Sequence, residues 1–359
     1  MTDPLRLPAE QTHRSELDAL KRADDGPKPA GWALSPKAVL TYVMGGETPD
    51  GTEISVKYFG PTRLIETAIA TLATDRALLL LGVPGTAKSW VSEHLAAAIA
   101  GDSTLVIQGT SGTDEAQIRY GWNYAQLLAH GPSKDALVPS PLFRAMETGK
   151  ICRIEELTRM GSDVQDALIT VLSEKMLPIP EIDGSLYASK GFNLIATAND
   201  RDKGVNDLSA ALKRRFNVVA LPLPETADQE VAIVAKRVAE MAVSLDLPSP
   251  KNIKTEIERV VRIFRELRSG ETDDGKLALK TPSGALSTAE AIGVVIGGLS
   301  HAAYFSDGAL SAEAVSADLL GTIVKDPVRD KAVLEEYLEL VLRTRPSDAP
   351  YYRALSDLV

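Results

Sequence analysis

The sequence predicts a two-domain protein in which an α/β domain with a doubly wound parallel sheet precedes an all-helical domain. Short apolar runs alternate with helical patterns up to about residue 224, and only helical periodicity follows. The chain of 359 residues is long enough for about two domains of roughly 150 residues each. We therefore expect an N-terminal arm or linker with a short helix over residues 1–50, an αβα domain over 51–224 and a helical domain over 225–359.

The composition is that of a soluble globular protein, with 44% hydrophobic and 25% charged residues and no apolar run near the ~18 residues of a membrane helix. A net charge of −10 and an aromatic content of 5% argue against a large nucleic-acid surface and against a stacking platform for single strands. The single cysteine, Cys152, and the lack of a basic-then-apolar order in residues 1–6 predict a cytoplasmic protein. The four histidines are far apart and match no metal-ligand spacing; they are His13, His94, His130 and His301.

Five short apolar runs predict the strands of the sheet. The first, Ala77–Leu81, is apolar throughout, which is typical of a strand covered on both faces. The other four runs are residues 104–107, 150–154, 192–196 and 217–221. Helices are predicted over 36–43 and 61–74 from apolar side chains at helical spacing. In the second domain, Thr226–Gln229 and Ser287–Glu290 match the capping box that begins a helix.

A glycine-rich turn follows the strand Ala77–Leu81 and opens a helix. Its residues are Gly82, Val83, Pro84, Gly85, Thr86, Ala87, Lys88 and Ser89. The backbone amides of such a loop and of a helix N-terminus point at phosphate oxygens, where the helix dipole favours negative charge. We expect Lys88 to reach the terminal phosphates of ATP and the Ser89 hydroxyl to bind Mg²⁺. Ala87 stands where glycine is usual before the lysine, so we expect helical rather than left-handed dihedrals there.

Two consecutive carboxylates, Glu155 and Glu156, follow the strand predicted over 150–154. Hydrolysis of a phosphoanhydride needs one carboxylate to hold Mg²⁺ and another to orient or deprotonate the attacking water. We assign Glu155 to the metal, although aspartate is commoner there, and Glu156 to water activation. Arg153 shares its side of the strand with Glu155. Two interpretations of this pair stay open: Arg153 holds the carboxylate in place, or it competes with Mg²⁺ for it.

Two further segments carry polar residues of the kind that contact the γ-phosphate of a bound nucleotide or complete its binding site. The run at 192–196 continues to Asn199, which we expect to contact both the γ-phosphate and the attacking water. The segment 208–216 contains three consecutive cations and ends in Arg214, Arg215 and Phe216. An arginine supplied by a neighbouring subunit accelerates phosphoryl transfer about 10³–10⁵-fold where such fingers occur. We favour Arg215 as this finger, with Arg214 as a second contact or a substitute.

The ordered set of motifs over about residues 55–345 resembles an AAA+ ATPase, and more narrowly the MoxR group in the branch with an insertion in the second helix. The supporting segments are the phosphate loop 82–89, Pro141–Ala145 leading into the acidic strand, Glu156–Arg159, and Leu208–Leu212. The resemblance implies an αβα nucleotide-binding domain followed by a helical lid, with ATP and Mg²⁺ as cofactors. It also implies a hexameric ring that remodels or activates a client protein, often beside a partner with a von Willebrand A domain.

Three other segments either depart from the family pattern or have two interpretations. The segment 117–130 falls in the helical insert, where a surface for a client and simple packing of Tyr120 and Trp122 are both open interpretations. The lid of many relatives carries an arginine near the start of a helix, but the corresponding stretch 281–287 has none, and Lys280 is the nearest cation. Residues 57–60 either flank the adenine or pack a loop.

Three other functions are alternatives to an ATP-driven remodeller. An ATP-binding regulatory scaffold with weak turnover would fit Glu155, Arg153 and the absent lid arginine. A nucleic-acid motor is disfavoured by the net charge and the scarce aromatic residues. A small-molecule kinase needs no arginine pair from a neighbour and predicts an active monomer.

Overall fold

A computed structural model describes residues 4–199 and 208–359 of the chain. By their contacts these residues form two compact units. The first contains the described residues of 1–83 and 87–222, and the second contains residues 84–86 with 223–359. Each unit has its own hydrophobic core.

The first unit alternates helices and strands. Its helices are α1 (Ala9–Thr12), α2 (Arg14–Ala23), α3 (Pro36–Met44), α4 (Thr62–Leu72), α5 (Lys88–Ala100), α6 (Glu115–Ile118), α7 (Tyr124–His130), α8 (Pro141–Thr148), α9 (Ser162–Glu174) and α10 (Ala210–Lys213). Its strands are β1 (Gly46–Glu47), β2 (Glu53–Ile54), β3 (Ala77–Gly82), β4 (Val106–Gln108), β5 (Tyr120–Trp122), β6 (Leu137–Pro139), β7 (Ile151–Glu155), β8 (Met176–Ile179), β9 (Gly184–Tyr187), β10 (Asn193–Asn199) and β11 (Phe216–Ala220).

A five-stranded parallel sheet, in the order β11-β3-β10-β7-β4, organises the first unit. Strand β3 lies between β11 and β10 and is buried on both faces. Leu78 and Leu80 pack into the core that contains α3, α4 and α5, whereas Ala77 and Leu79 pack into the core that contains α8 and α9. The predicted parallel α/β architecture is therefore confirmed. The two-stranded antiparallel ribbons β5–β6 and β8–β9 lie outside this sheet.

The N-terminal segment is helical and contributes to the core of the first unit. Leu17 of α2, Trp32 and Leu34 belong to the same buried cluster as Leu95 and Ile99 of α5. The Ala33 amide also donates to the carbonyl of Ile99 at 2.7 Å. Residues 9–34, which the sequence suggested were an arm or linker, are thus packed on the helix that follows the phosphate loop.

A partly buried carboxylate, that of Glu16, fixes α2 to the segment that precedes α4. Glu16 accepts hydrogen bonds from the backbone N (3.2 Å) and Oγ (2.9 Å) of Ser55 and forms an ion pair with the buried Lys57. Burial alone would raise the pKa of Glu16, but His13, Lys57 and Ser55 outweigh it and lower the pKa to about 2. This carboxylate therefore stays ionised as part of the packed interface.

The second unit is helical over its described length. Its helices are α11 (Ala227–Ser244), α12 (Ile253–Ser269), α13 (Thr288–Phe305), α14 (Ala312–Ile323), α15 (Arg329–Leu340) and α16 (Ala349–Ser356). The predicted capping boxes begin α11 and α13, with Thr226 and Ser287 as the caps. No helix in the described ranges has the length and apolar character needed to cross a bilayer.

Buried ion pairs join the helices of the second unit. Glu230 of α11 is fully buried and accepts hydrogen bonds from Arg265 (3.2 Å), Arg268 (2.8 Å) and Thr288 (2.8 Å). Buried charges are tolerated only when they are paired and hydrogen-bonded in this way. These contacts bring α11, α12 and α13 together.

We expect Leu34→Ala to lower the free energy of unfolding by about 2–5 kcal/mol, because it removes a fully buried side chain from the core of the first unit. Leu5→Ala, at a position that is 79% exposed, is the matched control and should change stability by less than about 0.5 kcal/mol. Denaturant titration followed by circular dichroism measures both. Equal stabilities for the two variants would show that the N-terminal segment is not part of the folded core.

Candidate nucleotide site

The phosphate loop lies where β3 ends and α5 begins, as the sequence predicted. Gly82, the last residue of β3, is in register with Asn199, the last residue of β10. The neighbouring strand β7 ends in Glu155. The carboxyl ends of parallel strands lie at one edge of the sheet, which is where ligands bind in open α/β folds.

Ala87 has a left-handed backbone, with φ 63° and ψ 21°, and is the N-cap of α5. The expectation of helical dihedrals at this position is therefore wrong. Gly85 also has a positive φ, of 84°, so the loop turns twice through the region that glycine prefers. The methyl group of Ala87 cannot accept a hydrogen bond from the first amides of α5, as the side chain of a usual N-cap residue does. An alanine in this conformation costs about 1–2 kcal/mol.

Lys88 begins α5 and folds back over the loop. Its Nζ atom donates to the carbonyl oxygens of Gly82 at 2.8 Å and Val83 at 2.9 Å, and the side chain is buried. The ammonium group is therefore held inside the turn that the sequence assigned to phosphate.

The carboxylate of Glu155 accepts hydrogen bonds from four side chains. Its Oε2 atom accepts from Ser89 Oγ at 2.6 Å and Thr197 Oγ1 at 2.7 Å, and its Oε1 atom accepts from Ser92 Oγ at 2.6 Å and Arg153 Nη2 at 2.8 Å. Burial alone would raise the pKa of Glu155. The Arg153 guanidinium and the three hydroxyls outweigh burial and lower the pKa.

The donor set at Ser89 and Glu155 suits a hard cation such as Mg²⁺. Both residues offer oxygen atoms, the two oxygens are 2.6 Å apart, and the carboxylate is kept ionised. Magnesium usually binds proteins through one or two such side chains together with water and phosphate oxygens. The residues present therefore fit the metal that the sequence analysis expected.

Glu156 leaves the strand in a left-handed conformation, with φ 56° and ψ 47°. Its backbone N donates to Thr197 Oγ1 at 3.0 Å, and its carboxylate is paired with Arg159 Nε at 2.5 Å. Non-glycine residues held in this region cost of order 1–3 kcal/mol and cluster at functional sites. Because of this turn, the side chain of Glu156 does not continue the alternating side-chain directions of β7.

Arg214 and Arg215 lie at the opposite edge of the sheet. Phe216, which follows them, is in register with Ala77 at the start of β3, whereas the phosphate loop follows the end of that strand. The length of β3 places about 16 Å between these two edges. Arg215 donates to Ser173 Oγ at 2.6 Å and to the carbonyl of Ala211 at 2.5 Å, and Arg214 is exposed.

Sequence reasoning missed Ser92 and Thr197, although both have a signal in the spacing. Ser92 lies one helical turn after Ser89 and so shares its face of α5. Thr197 precedes Asn199 by two residues and shares its side of β10. The contribution of Ser103, whose carbonyl accepts from Arg153 Nη1 at 2.9 Å, has no local signal.

The other segments singled out in the sequence are also placed. Tyr120 is buried and donates to Glu181 at 2.7 Å, so this part of the insert is packed, whereas Tyr124 and Leu128 on α7 are 75% and 88% exposed.

In the second unit, Lys280 is paired with Glu336, and Arg268 donates to the carbonyl of Leu286 at 2.8 Å. The carbonyl of Lys57 accepts from Trp90 Nε1 of α5 at 2.9 Å, which holds Lys57 beside this helix.

A parallel sheet in this strand order, with a phosphate loop after β3 and polar residues at the ends of β7 and β10, defines a nucleotide-binding protein of the AAA+ class. A family profile described as "AAA domain (dynein-related subfamily)" matches residues 77–216, and another described as "YehL-like AAA+ ATPase C-terminal domain" matches residues 228–358. The uncharacterized protein YehL of Escherichia coli (strain K12) is 42% identical over 355 residues, which cover 97% of this chain and 96% of YehL. The chain belongs to the YehL-like family of AAA+ ATPases.

More distant similarities cover only part of the molecule or only its fold. The uncharacterized protein SH1500 of Staphylococcus haemolyticus (strain JCSC1435) is 28% identical over 154 residues, covering 42% of this chain and 57% of SH1500. Crystal structures of NtrX from Brucella abortus in complex with ADP and with ATP each align with a TM-score of 0.50 at 13% identity. They cover 80% and 82% of this chain but only 60% and 66% of the NtrX chains, and at this identity they show the fold alone.

We expect Ala87→Gly to leave stability unchanged or raise it by up to about 1 kcal/mol, because it relieves the left-handed strain while adding freedom to the unfolded chain. Ala70→Gly, at an exposed position inside α4 of the same unit, is the matched control and should lower stability by about 1 kcal/mol. Thermal and denaturant unfolding of both variants tests this. A loss in Ala87→Gly equal to that in Ala70→Gly would contradict the left-handed assignment.

Proposed function

We propose that this chain hydrolyses ATP with Mg²⁺ and uses the reaction to remodel or activate a client protein, as MoxR-type rings do. The observation that carries the proposal is the direct contact of Ser89 with Glu155, beside a phosphate loop whose cap residue Ala87 offers α5 no side-chain oxygen. Membership of an AAA+ ATPase family supports the nucleotide and the reaction class.

Each residue of the site has a proposed role. The amides of residues 82–89 and the Lys88 ammonium bind the phosphates, and Ser89 with Glu155 holds Mg²⁺, which would neutralise the charge that develops on the phosphates. Glu156 takes a proton from the attacking water or orients it. Asn199, in register with Gly82, contacts the γ-phosphate and that water.

Arg215 is proposed to complete the site of a neighbouring subunit, with Arg214 as a second contact. The proposal is supported by their place at the edge of the sheet opposite to the phosphate loop of the same chain. A head-to-tail interface of this kind forms a ring when the rotation between subunits closes, and the family resemblance favours a ring of six.

The client-directed part of the proposal is supported by the insert between β4 and α8. This insert contains α6, β5, α7 and β6, in agreement with the helix-2-insert branch of the MoxR group. The exposed side chains of Tyr124 and Leu128 lie four residues apart on α7 and offer an apolar surface to a client or to a partner with a von Willebrand A domain.

We expect Lys88→Ala to abolish ATP binding in calorimetry and Glu156→Gln to keep binding while lowering phosphate release at least about 100-fold. Lys37→Ala, which removes an exposed lysine of α3, is the control and should match the wild type in both measurements. If Glu156→Gln and the wild type release phosphate equally slowly while both bind ATP, the chain is a nucleotide-binding scaffold rather than a hydrolase.

We expect Arg215→Ala to bind ATP normally and to lose turnover by about 10³-fold or more. Ser173→Ala removes the hydrogen bond to Arg215 but keeps the guanidinium, and it should keep turnover. Mixing Arg215→Ala with Glu156→Gln in equal amounts should restore activity at about a quarter of the interfaces of a randomly assembled ring. Absence of any recovery in mixed rings, or normal turnover of Arg215→Ala, would contradict the shared site.

A further inference from the structure

Arg153 occupies a buried position on β7, between β10 and β4 of the sheet, which is unusual for a guanidinium. It is 7% exposed and donates through all three nitrogen atoms. Nε donates to Ser92 Oγ at 3.0 Å, Nη1 to the carbonyl of Ser103 at 2.9 Å, and Nη2 to the carbonyl of Ser89 at 3.1 Å and to Glu155 Oε1 at 2.8 Å. The fork of this side chain thus spans β7, the first turns of α5 and the loop after α5.

The two oxygens of Glu155 have different partners. Oε1 is bound by Arg153 and Ser92, whereas Oε2 is bound by Ser89 and Thr197. The guanidinium therefore does not occupy the oxygen that lies beside the Ser89 hydroxyl. Competition between Arg153 and a cation for the same oxygen is not supported by this arrangement.

A glutamate has one more rotatable bond than the aspartate that is commoner at this position, so its carboxylate needs additional restraint. The hydrogen bonds from Arg153 and Ser92 to Oε1 supply that restraint and leave Oε2 beside the Ser89 hydroxyl. We propose that Arg153, with Ser92, is a positioning residue that fixes Glu155 with Oε2 toward Ser89 and thereby sets the affinity of the nucleotide site for Mg²⁺. This inference rests on the proposed function and adds a determinant of metal binding to it.

The support of Arg153 extends to the N-terminal segment. The carbonyl of Ser103 holds Nη1 of Arg153, while the N and Oγ atoms of the same Ser103 donate to Glu10 Oε2 of α1 at 3.2 and 2.7 Å. A continuous series of hydrogen bonds therefore runs from Glu10 to Glu155. Helix α1, which precedes the residues matched by the AAA profile, therefore contributes to the contacts that orient Glu155, the proposed metal ligand.

The test measures binding of a non-hydrolysable ATP analogue by calorimetry, once in EDTA and once with saturating Mg²⁺. The ratio of the two dissociation constants is the enhancement due to the metal. Arg153→Lys keeps the charge but not the fork, and Ser92→Ala removes one bond to Oε1. We expect both variants to reduce the enhancement about 10-fold, the lower end of the effect of removing partners that orient metal ligands. Affinity in EDTA should stay within about twofold, because neither side chain is assigned to the phosphates.

Arg119→Lys is the matched control, because Arg119 is partly buried and, like Arg153, donates to a backbone carbonyl, that of Pro178, in the same unit. It should keep the full enhancement. Thermal unfolding verifies that each variant is folded, and Ser92→Ala decides the question if Arg153→Lys does not fold. A wild-type enhancement that persists in folded Ser92→Ala, or one that increases in Arg153→Lys, would overturn the positioning role. Absence of analogue binding to the wild type would instead overturn the proposed function itself.

Discussion

The burial of one ionised carboxylate, that of Glu155, is the constraint on which the nucleotide site depends. At 5% exposure this charge would be strongly unfavourable without compensation. Its partners come from three different elements: Ser89 and Ser92 from α5, Arg153 from β7 and Thr197 from β10. The bonds that stabilise the charge therefore also fix the helix of the phosphate loop against the two strands that carry the other site residues.

The same constraint supports the backbone strain at two residues of the site. Ala87 begins α5 and Glu156 follows β7, and both have left-handed dihedrals although neither is glycine. The Glu155 bonds hold the elements next to these two residues, and Thr197 also accepts from the Glu156 amide at 3.0 Å. Strained residues persist only where the surrounding structure determines their conformation, and here the carboxylate network provides that surrounding structure.

The sequence was sufficient for the parallel sheet and for the position of the phosphate loop, because these follow from local patterns. The run Ala77–Leu81 is apolar on both faces, and the glycine-rich turn comes immediately after it. The sequence was insufficient for the backbone conformation of Ala87. The intrinsic preference of alanine favours right-handed helical dihedrals, and only the packed loop imposes the left-handed ones. The choice between two roles for Arg153 also depended on contacts with Ser92 and Ser103, which lie 61 and 50 residues away along the chain.

The N-terminal segment was the least predictable part of the first unit. Its proline- and aspartate-rich stretch around residues 24–29 is typical of a linker, and the apolar side chains of Trp32 and Leu34 are too few to show a helical or strand period. They are buried in a cluster that also contains Leu95 and Ile99 of α5, which are distant in sequence. The position of a segment with a weak hydrophobic pattern can thus be determined by the surface against which it packs.

The direction of the parallel strands limits what one chain can do alone. All five strands of the sheet point the same way, so the groups that follow β3, β7 and β10 share one edge, and those that precede β11 are at the other. A rigid sheet cannot bring Arg215 to the phosphate loop of its own subunit across about 16 Å. Any role for Arg215 at a nucleotide therefore requires a second copy, placed so that one edge of its sheet faces the opposite edge of the first. In the proposed arrangement that contact joins two different surfaces, so it repeats from subunit to subunit and gives a ring when the rotation between subunits closes. The proposed hydrolysis then depends on the interface between two chains rather than on one chain alone.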